Sequence, residues 1–155
     1  MEIKILSRQK LEEWAAEPFN SATAVISIVD YRDSFPILKC APAHLHCVSF
    51  DDVDNDVIVD ELGEDGTPDE INAIERKYHM FSEEQAKALA DFYVSAEDKA
   101  ELLICQCEHG QSRSAAVAAA IMEYRYGNGI DIFANDRYYP NKVVFRRVLE
   151  ALRQS

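Results

Sequence analysis

Short apolar runs alternate with polar segments along the chain. Four runs have the length and composition of buried strands: Ile3 to Leu6, Ala24 to Val29, Leu45 to Phe50 and Leu102 to Gln106. Strands that are buried on both faces of a sheet have this continuous apolar character, whereas half-exposed strands alternate apolar and polar positions. The four runs therefore predict a mostly parallel sheet with Leu102 to Gln106 at its centre.

Helical patterns lie between and after these runs. Ser7 is in position to cap a helix that runs toward Ala16, and Ser82-Glu83-Glu84-Gln85 has the form of a capping box. An alanine-rich helix is expected over residues 114–126, and a last helix over residues 141–152. The alternation of strands and helices predicts an α/β fold, with helices on both faces of the sheet, in a single domain covering residues 1–155.

The charge of the chain limits its partners. The 155 residues carry a net charge of −12, and the segment from Asp51 to Glu70 contains ten acidic residues with no Lys or Arg. Because this charge repels polyanions, neither nucleic acid nor an anionic membrane is an expected partner.

No apolar run approaches the length of a membrane span, and the N-terminus has no pattern typical of a secretory signal. The four cysteines lack a disulfide-framework spacing, which is typical of a reducing compartment, so we expect a cytoplasmic protein. Together with the histidines they fit no common zinc pattern. No metal or cofactor is therefore expected.

Candidate chemistry concentrates in the run Cys107-Glu108-His109-Gly110-Gln111-Ser112-Arg113-Ser114, which joins the last apolar run to the alanine-rich helix. Backbone N–H groups at the start of a helix lack intrahelical partners and lie at the positive end of its dipole, so a loop there can bind an anion. Gly110 permits a turn with positive φ, and the planar guanidinium of Arg113 can bind two phosphate oxygens. The same positive surroundings favour the thiolate form of Cys107. The run indicates a phosphate site with a nucleophile.

These residues resemble the Cys-x5-Arg-Ser/Thr signature of the protein tyrosine and dual-specificity phosphatases. The resemblance implies a dual-specificity-phosphatase-like fold and hydrolysis of a phosphomonoester through a cysteinyl-phosphate intermediate. It makes Cys107 the nucleophile and Arg113 the phosphate ligand, while Ser114 assists the cysteine and the breakdown of the intermediate. The other residues that would surround the phosphate are Glu108, His109, Gly110, Gln111 and Ser112.

The leaving oxygen needs a proton, so the reaction requires a carboxylic acid opposite the loop. Asp51 and Asp52 are the best placed, because they follow a strand and open α/β sheets bind ligands at the carboxyl ends of their strands. The family carries its acid at the end of a Phe-x-Asp string, which favours Asp52 and leaves Asp51 to orient the loop. The chain from Asp52 to Cys107 is longer than in compact members, and the glycines and proline within residues 57–79 indicate irregular structure.

One further segment carries a resemblance. Pro140-Asn141, followed by an aromatic residue and a leucine, resembles the segment that dual-specificity phosphatases place after the helix of the loop. In that family the asparagine braces the phosphate loop, so the resemblance gives Asn141 a supporting role. The alternative is a Pro-Asn helix start without a role in the site.

The resemblance implies a phosphorylated protein or peptide as substrate, with phosphotyrosine first and also phosphoserine or phosphothreonine. Glu108 and Gln111 stand where phosphoinositide enzymes of the family favour lysine, which disfavours multiply phosphorylated lipids. The start Cys107-Glu108-His109-Gly110 also resembles the RNA 5′-triphosphatase branch. Another alternative is a module that binds a phosphorylated ligand without turnover, because Gln106 replaces the usual histidine and Glu108 adds negative charge beside the thiol.

Overall fold

The computed structural model describes all of residues 1–155. Its strands are β1 (Glu2–Ser7), β2 (Thr23–Val29), β3 (His44–Ser49) and β4 (Leu102–Cys107). Its helices are α1 (Arg8–Trp14), α2 (Asp56–Leu62), α3 (Pro68–Lys77), α4 (Glu83–Ala96), α5 (Arg113–Tyr126), α6 (Ile130–Phe133) and α7 (Lys142–Arg153). None of the helices combines the length and hydropathy that crossing a bilayer requires.

The sheet has the strand order β1-β4-β2-β3, and all three neighbouring pairs run parallel. Successive side chains of a strand point to opposite faces of the sheet, and each face has its own apolar cluster. On one face, residues of β2, β3 and β4 pack against α4, α5 and α7. On the other face, Leu6, Val25 and Ile104 pack against Leu11 of α1. The predicted α/β fold, with helices on both faces of a parallel sheet, is confirmed.

Local capping explains where the predicted helices begin and end. The Ser7 hydroxyl accepts a hydrogen bond from Lys10 N at the start of α1, and the predicted capping box forms between Ser82 and Gln85 at the start of α4. Helix α5 ends at Gly127, whose φ of 69° lies in the left-handed region that glycine occupies without steric cost.

The prediction of irregular structure over residues 57–79 is wrong, because the segment contains most of α2 and all of α3. The capping residue of α3 is Thr67, which exchanges two hydrogen bonds with Glu70, and Pro68 occupies the first helical position. Gly63 ends α2 with a φ of 68°. The glycine and the proline mark helix ends here rather than an absence of helix. Neither helix contains a fully buried residue, so both lie on the surface of the fold.

The parallel sheet brings four connections to one edge. The carboxyl ends of β1, β2, β3 and β4 lead into Arg8, Asp30, Phe50 and the loop after Cys107. Strands in parallel register end on the same side of a sheet, so these four stretches of chain meet there. This edge is the place where the sequence predicts a phosphate site.

Candidate active site

The backbone N–H groups of residues 108–112, between β4 and α5, donate to no other group of the protein. Ser112, which precedes α5, makes no side-chain capping bond, so its hydroxyl does not occupy the N–H groups of the first turn. Gly110 turns the loop with a φ of 67° and packs against the end of β1. A Cβ atom at this position would lie 2.8 Å from both Leu6 C and Ser7 N. Only glycine fits, because both the conformation and the close approach exclude a side chain.

Cys107 lies at the end of β4 and is 3% exposed. Its Sγ atom is 3.0 Å from the Oγ atom of Ser114, which is completely buried in the first turn of α5. A hydroxyl that donates to a thiolate stabilises it, so Ser114 is in place to support a charged Cys107. The structure brings these two residues together through the strand, loop and helix start that the sequence predicts.

Arg113 carries its guanidinium into the interior, with 4% of the residue exposed. Its Nη1 atom donates to the carbonyl oxygen of Phe50 at 2.7 Å and to Oδ1 of Asp30 at 2.8 Å. The Nε atom is buried and has no hydrogen-bond partner. A buried donor without an acceptor is costly, so an anion that binds beside the loop would satisfy it.

Asp30 was missed by the sequence analysis. It follows β2 directly, so the argument that selected the residues at the exit of β3 would also have found it. Its side chain remains 56% exposed while it holds Nη1 of Arg113. Because Nη1 is held by Asp30 and by the Phe50 carbonyl, the Nε edge of the guanidinium is left for a ligand. Asp30 thus positions the arginine.

Asp52 lies against the loop. Its Oδ1 atom accepts hydrogen bonds from Oγ of Ser112 and from Nδ2 of Asn141, each at 2.9 Å. These two bonds leave Oδ2 without a protein partner. The carboxylate is therefore held at the loop by one oxygen, and its other oxygen makes no hydrogen bond with the protein.

Asn141 connects three parts of the site. Its side chain donates to Asp52 and to the carbonyl oxygen of Val53, and its Oδ1 atom caps α7 by accepting from Val144 N at 3.1 Å. Its backbone N–H donates to the carbonyl oxygen of Ser112 at 3.3 Å. The contacts tie the loop, the segment after β3 and α7 to one residue, so Asn141 is both a helix cap and a link between the loop and Asp52.

Asp51 forms its hydrogen bonds with Tyr31 and His79, and none with the loop that it was expected to orient. Its Oδ1 atom accepts from Tyr31 N at 2.9 Å, and its own N–H donates to the carbonyl oxygen of His79. Tyr31 in turn stacks on the imidazole of His79, with ring centroids 3.6 Å apart. Asp51 thus fixes the connection after β2 to the chain that follows α3.

The variable residues of the loop differ in their contacts. Glu108 forms an ion pair with Arg8 at 3.9 Å, and Arg8 N donates to the carbonyl oxygen of Glu108. Its negative charge beside Cys107 is therefore partly balanced by Arg8, a second residue that the sequence analysis missed. His109 and Gln111 are exposed, and the Gln111 carbonyl accepts from Tyr139 N at 2.8 Å.

Gln106 is fully buried and forms hydrogen bonds with β2. Its Oε1 accepts from the hydroxyl of Ser27, its register partner on β2, and its Nε2 donates to the carbonyl oxygen of Ile28. The side chain is occupied by the sheet interior. The buried amide of Gln106 is therefore satisfied by hydrogen bonds within the sheet, as a buried polar group requires.

The other cysteines are also accounted for. All four are unbridged, and Cys105 is completely buried two residues before Cys107. Burial, and secondly the charge of Cys107, raises the pKa of Cys105 far above its ordinary value. Cys105 therefore remains a protonated, unreactive thiol, because the thiolate is the nucleophilic form.

No protein-family model and no curated protein sequence matches this chain. Solved structures do match it. The structure of PTPMT1 in complex with PI(5)P is 12% identical, with a TM-score of 0.52 over 99% of this chain and 91% of that chain. The structure of Tk-PTP in the active form is 14% identical, with a TM-score of 0.50 over 99% of this chain and 92% of that chain. The structure of human DUSP28 is 16% identical, with a TM-score of 0.48 over 98% and 92%.

At these identities the likeness is one of fold. The chain has the fold of the cysteine-dependent protein tyrosine and dual-specificity phosphatases, which confirms the fold that the Cys-x5-Arg-Ser resemblance implied.

The loop between β4 and α5 can be tested as an anion site through Gly110. We expect Gly110→Ala to weaken binding of tungstate, a tetrahedral oxyanion, by at least about tenfold, or about 1.4 kcal/mol. The reason is that the new Cβ would displace the loop from β1. Isothermal titration calorimetry measures the effect.

Gly127→Ala is the matched control, because Gly127 has a φ of 69° but no atom within 4 Å of its would-be Cβ. Both substitutions should cost about 1–2 kcal/mol of stability from the positive φ, whereas only Gly110→Ala should lose tungstate. Equal tungstate affinity in the two variants would show that the loop is not the anion site.

Proposed function

We propose that the protein is a cysteine-dependent phosphatase that hydrolyses phosphomonoesters of proteins and peptides. Phosphotyrosine is the main proposed substrate, and phosphoserine and phosphothreonine are additional ones. The observation that carries the proposal is the unpartnered, buried Nε of Arg113 beside the loop that starts at Cys107. A phosphate oxygen is the acceptor that this donor lacks, and the fold likeness to phosphatases supports the same reading. We place this activity in the cytoplasm.

The first half of the reaction transfers the phosphoryl group to the protein. The loop N–H groups and Arg113 bind the phosphate oxygens, and Sγ of Cys107 attacks phosphorus opposite the ester oxygen. A phosphorus–sulfur bond forms while the phosphorus–oxygen ester bond breaks. Asp52 gives its proton to the leaving oxygen, a contribution that is typically about 10²–10⁴-fold in rate.

The second half releases phosphate. Asp52, now a carboxylate, takes a proton from the water that attacks the cysteinyl-phosphate. The phosphorus–sulfur bond breaks and its electrons return to Cys107. The Ser114 hydroxyl, 3.0 Å from Sγ, donates to the departing thiolate and stabilises it.

Turnover, rather than phosphate binding alone, is supported by the contacts of two unusual residues. Glu108 is paired with Arg8, which reduces its effect on the charge of Cys107. Gln106 satisfies its amide within the sheet through Ser27 and Ile28, so its replacement of histidine leaves no buried polar atom unpaired. Neither departure removes a group that the mechanism uses.

Hydrolysis of p-nitrophenyl phosphate tests the proposed activity. We expect the unaltered protein to release p-nitrophenol between about pH 5 and pH 8, and Cys107→Ser to reduce kcat by at least about 10⁴-fold, because the nucleophile is lost. Cys47→Ser is the control, since Cys47 is an exposed thiol on the edge strand β3 and should leave kcat unchanged. An unaltered protein that is inactive across this pH range would refute the proposal.

The choice of Asp52 as acid is tested by the pH dependence of kcat. Asp52→Asn should lower kcat by about 10²–10³-fold and remove the fall of activity toward high pH, because that fall reports loss of the acidic proton. Asp51→Asn is the matched neighbour and should keep the high-pH limb, since its carboxylate is bonded to Tyr31 N. If Asp51→Asn loses the limb and Asp52→Asn keeps it, the assignment of Asp52 as the acid is wrong.

A further inference from the structure

Negative charge surrounds the phosphate loop, and it bears on the kind of molecule that carries the phosphate. We propose that the substrate is a phosphorylated protein segment with Lys or Arg residues flanking the phosphorylated side chain. This inference rests on the proposed phosphatase function and adds the chemistry of the substrate around the phosphate. It also favours a cationic peptide over an anionic lipid surface.

The position of the ligand is fixed independently of the surrounding charge. The side chain of Arg113 is 5% exposed, and its Nε has no partner. An acceptor must therefore approach this edge of the guanidinium from the loop, which places the phosphate group of any substrate between Arg113 and Cys107. The atoms adjacent to the phosphate then lie at the opening of the site. We call this opening the mouth; the chain segments that follow β1, β2, β3 and β4 surround it.

Exposed carboxylates lie around this mouth. Asp30 and Asp33 follow β2 and have side chains 56% and 45% exposed, and Glu108 on the loop has a side chain 42% exposed. Two buried or half-buried arginines are their partners, Arg113 for the first and Arg8 for the other two. Three carboxylates thus share two guanidiniums. One of these, the guanidinium of Arg113, would also have to balance the charge of the bound phosphate.

The helices α2 and α3 extend the negative surface from the site outward. Near the start of α2, Asp54 accepts a hydrogen bond from Lys142 N, next to Asn141 and the loop. After the end of α3, His79 stacks on Tyr31 at the exit of β2. The start of α2 and the end of α3 are therefore both held by these contacts beside the mouth. The exposed carboxylates from Asp56 to Glu70 that have no basic partner are Asp56, Asp60, Glu64, Asp65, Asp69 and Glu70.

The cations nearby do not balance these groups. They are fewer than the carboxylates: Lys77 is paired with Glu61, and the others are Arg32 over the ring of Tyr31, Arg76 on α3 and Lys142 next to Asn141. Uncompensated carboxylates attract cations over about 10 Å at 0.1 M ionic strength, which covers residues on either side of a phosphorylated one. The same field repels a membrane rich in anionic lipids, even though PTPMT1, a fold relative, was solved with PI(5)P.

The test compares phosphotyrosine peptides that differ only in their flanking residues, which are Lys in one peptide, Ala in the second and Glu in the third. We expect kcat/KM for the Lys peptide to exceed that for the Glu peptide by at least about tenfold at about 0.1 M salt, with the difference nearly lost at about 1 M. Vesicles of phosphatidylcholine containing phosphatidylinositol 5-phosphate provide the lipid arm. They should be hydrolysed more slowly than the Lys peptide.

Charge variants locate the effect. The triple variant Asp56→Asn, Asp60→Asn, Glu64→Gln removes three exposed carboxylates of α2 and its end. The control Glu2→Gln, Asp98→Asn, Glu101→Gln removes three exposed carboxylates at or near the opposite, amino-terminal edge of the sheet. Both should hydrolyse p-nitrophenyl phosphate like the unaltered protein, and only the α2 variant should reduce the preference for Lys.

The possible failures are distinguishable. If the unaltered protein does not hydrolyse p-nitrophenyl phosphate, the proposed function and this inference are overturned together. Normal hydrolysis with equal kcat/KM for the Lys and Glu peptides would overturn only the basic-peptide inference. Faster hydrolysis of the lipid would overturn that inference and the choice of protein substrates, but not the phosphatase activity. An equal loss of preference in both triple variants would assign the effect to net charge and would likewise overturn a role for α2.

Discussion

The site depends on a buried positive charge, the guanidinium of Arg113. Removing an arginine from water costs several kcal/mol unless acceptors surround it. Here the acceptors are Asp30 and the Phe50 carbonyl, and the register of the sheet brings them together, because Val29 of β2 pairs with Ser49 of β3. The residues that follow these paired positions are therefore neighbours. The Nε atom of the same guanidinium has no acceptor in the protein, and a bound phosphate would supply one.

The remaining site residues depend on the same edge of the sheet. The loop after β4 is packed against β1 through Gly110, and Asn141 links it to Asp52 and to the start of α7. Consequently Cys107 and Arg113, at the two ends of one loop, and Asp52, after β3, come from two connections that the sheet and α7 hold in place. Chemistry that needs all three therefore requires the whole domain rather than the loop alone.

Much of the fold and the loop could be predicted because the signals are local. The four apolar runs and the capping box from Ser82 to Gln85 each lie within one strand or one helical turn. Helices α2 and α3 differ from the prediction, although α3 has a local signal: Thr67 to Glu70 is a capping box. The glycine and proline of this segment are equally typical of loops and of helix ends.

Asp30 follows a strand, as Asp51 and Asp52 do, so its position at the site could be predicted. Its contact with Arg113, and that of Arg8 with Glu108, depend on which strands become neighbours, and no local pattern encodes that. The preference for Asp52 over Asp51 rests on the family resemblance. In the structure Asp52 contacts Ser112 of the loop and Asn141, whereas Asp51 contacts Tyr31.

The central claim is that Cys107 carries the phosphoryl group during turnover. Acid quenching within the first turnover on a phosphotyrosine peptide, followed by mass spectrometry of the digested protein, tests it most directly. We predict one phosphoryl group on Cys107 and none in the Cys107→Ser variant. Hydrolysis of the peptide by the unaltered protein with the phosphoryl group on another residue, or with no phosphorylated protein at any quench time, would contradict the account.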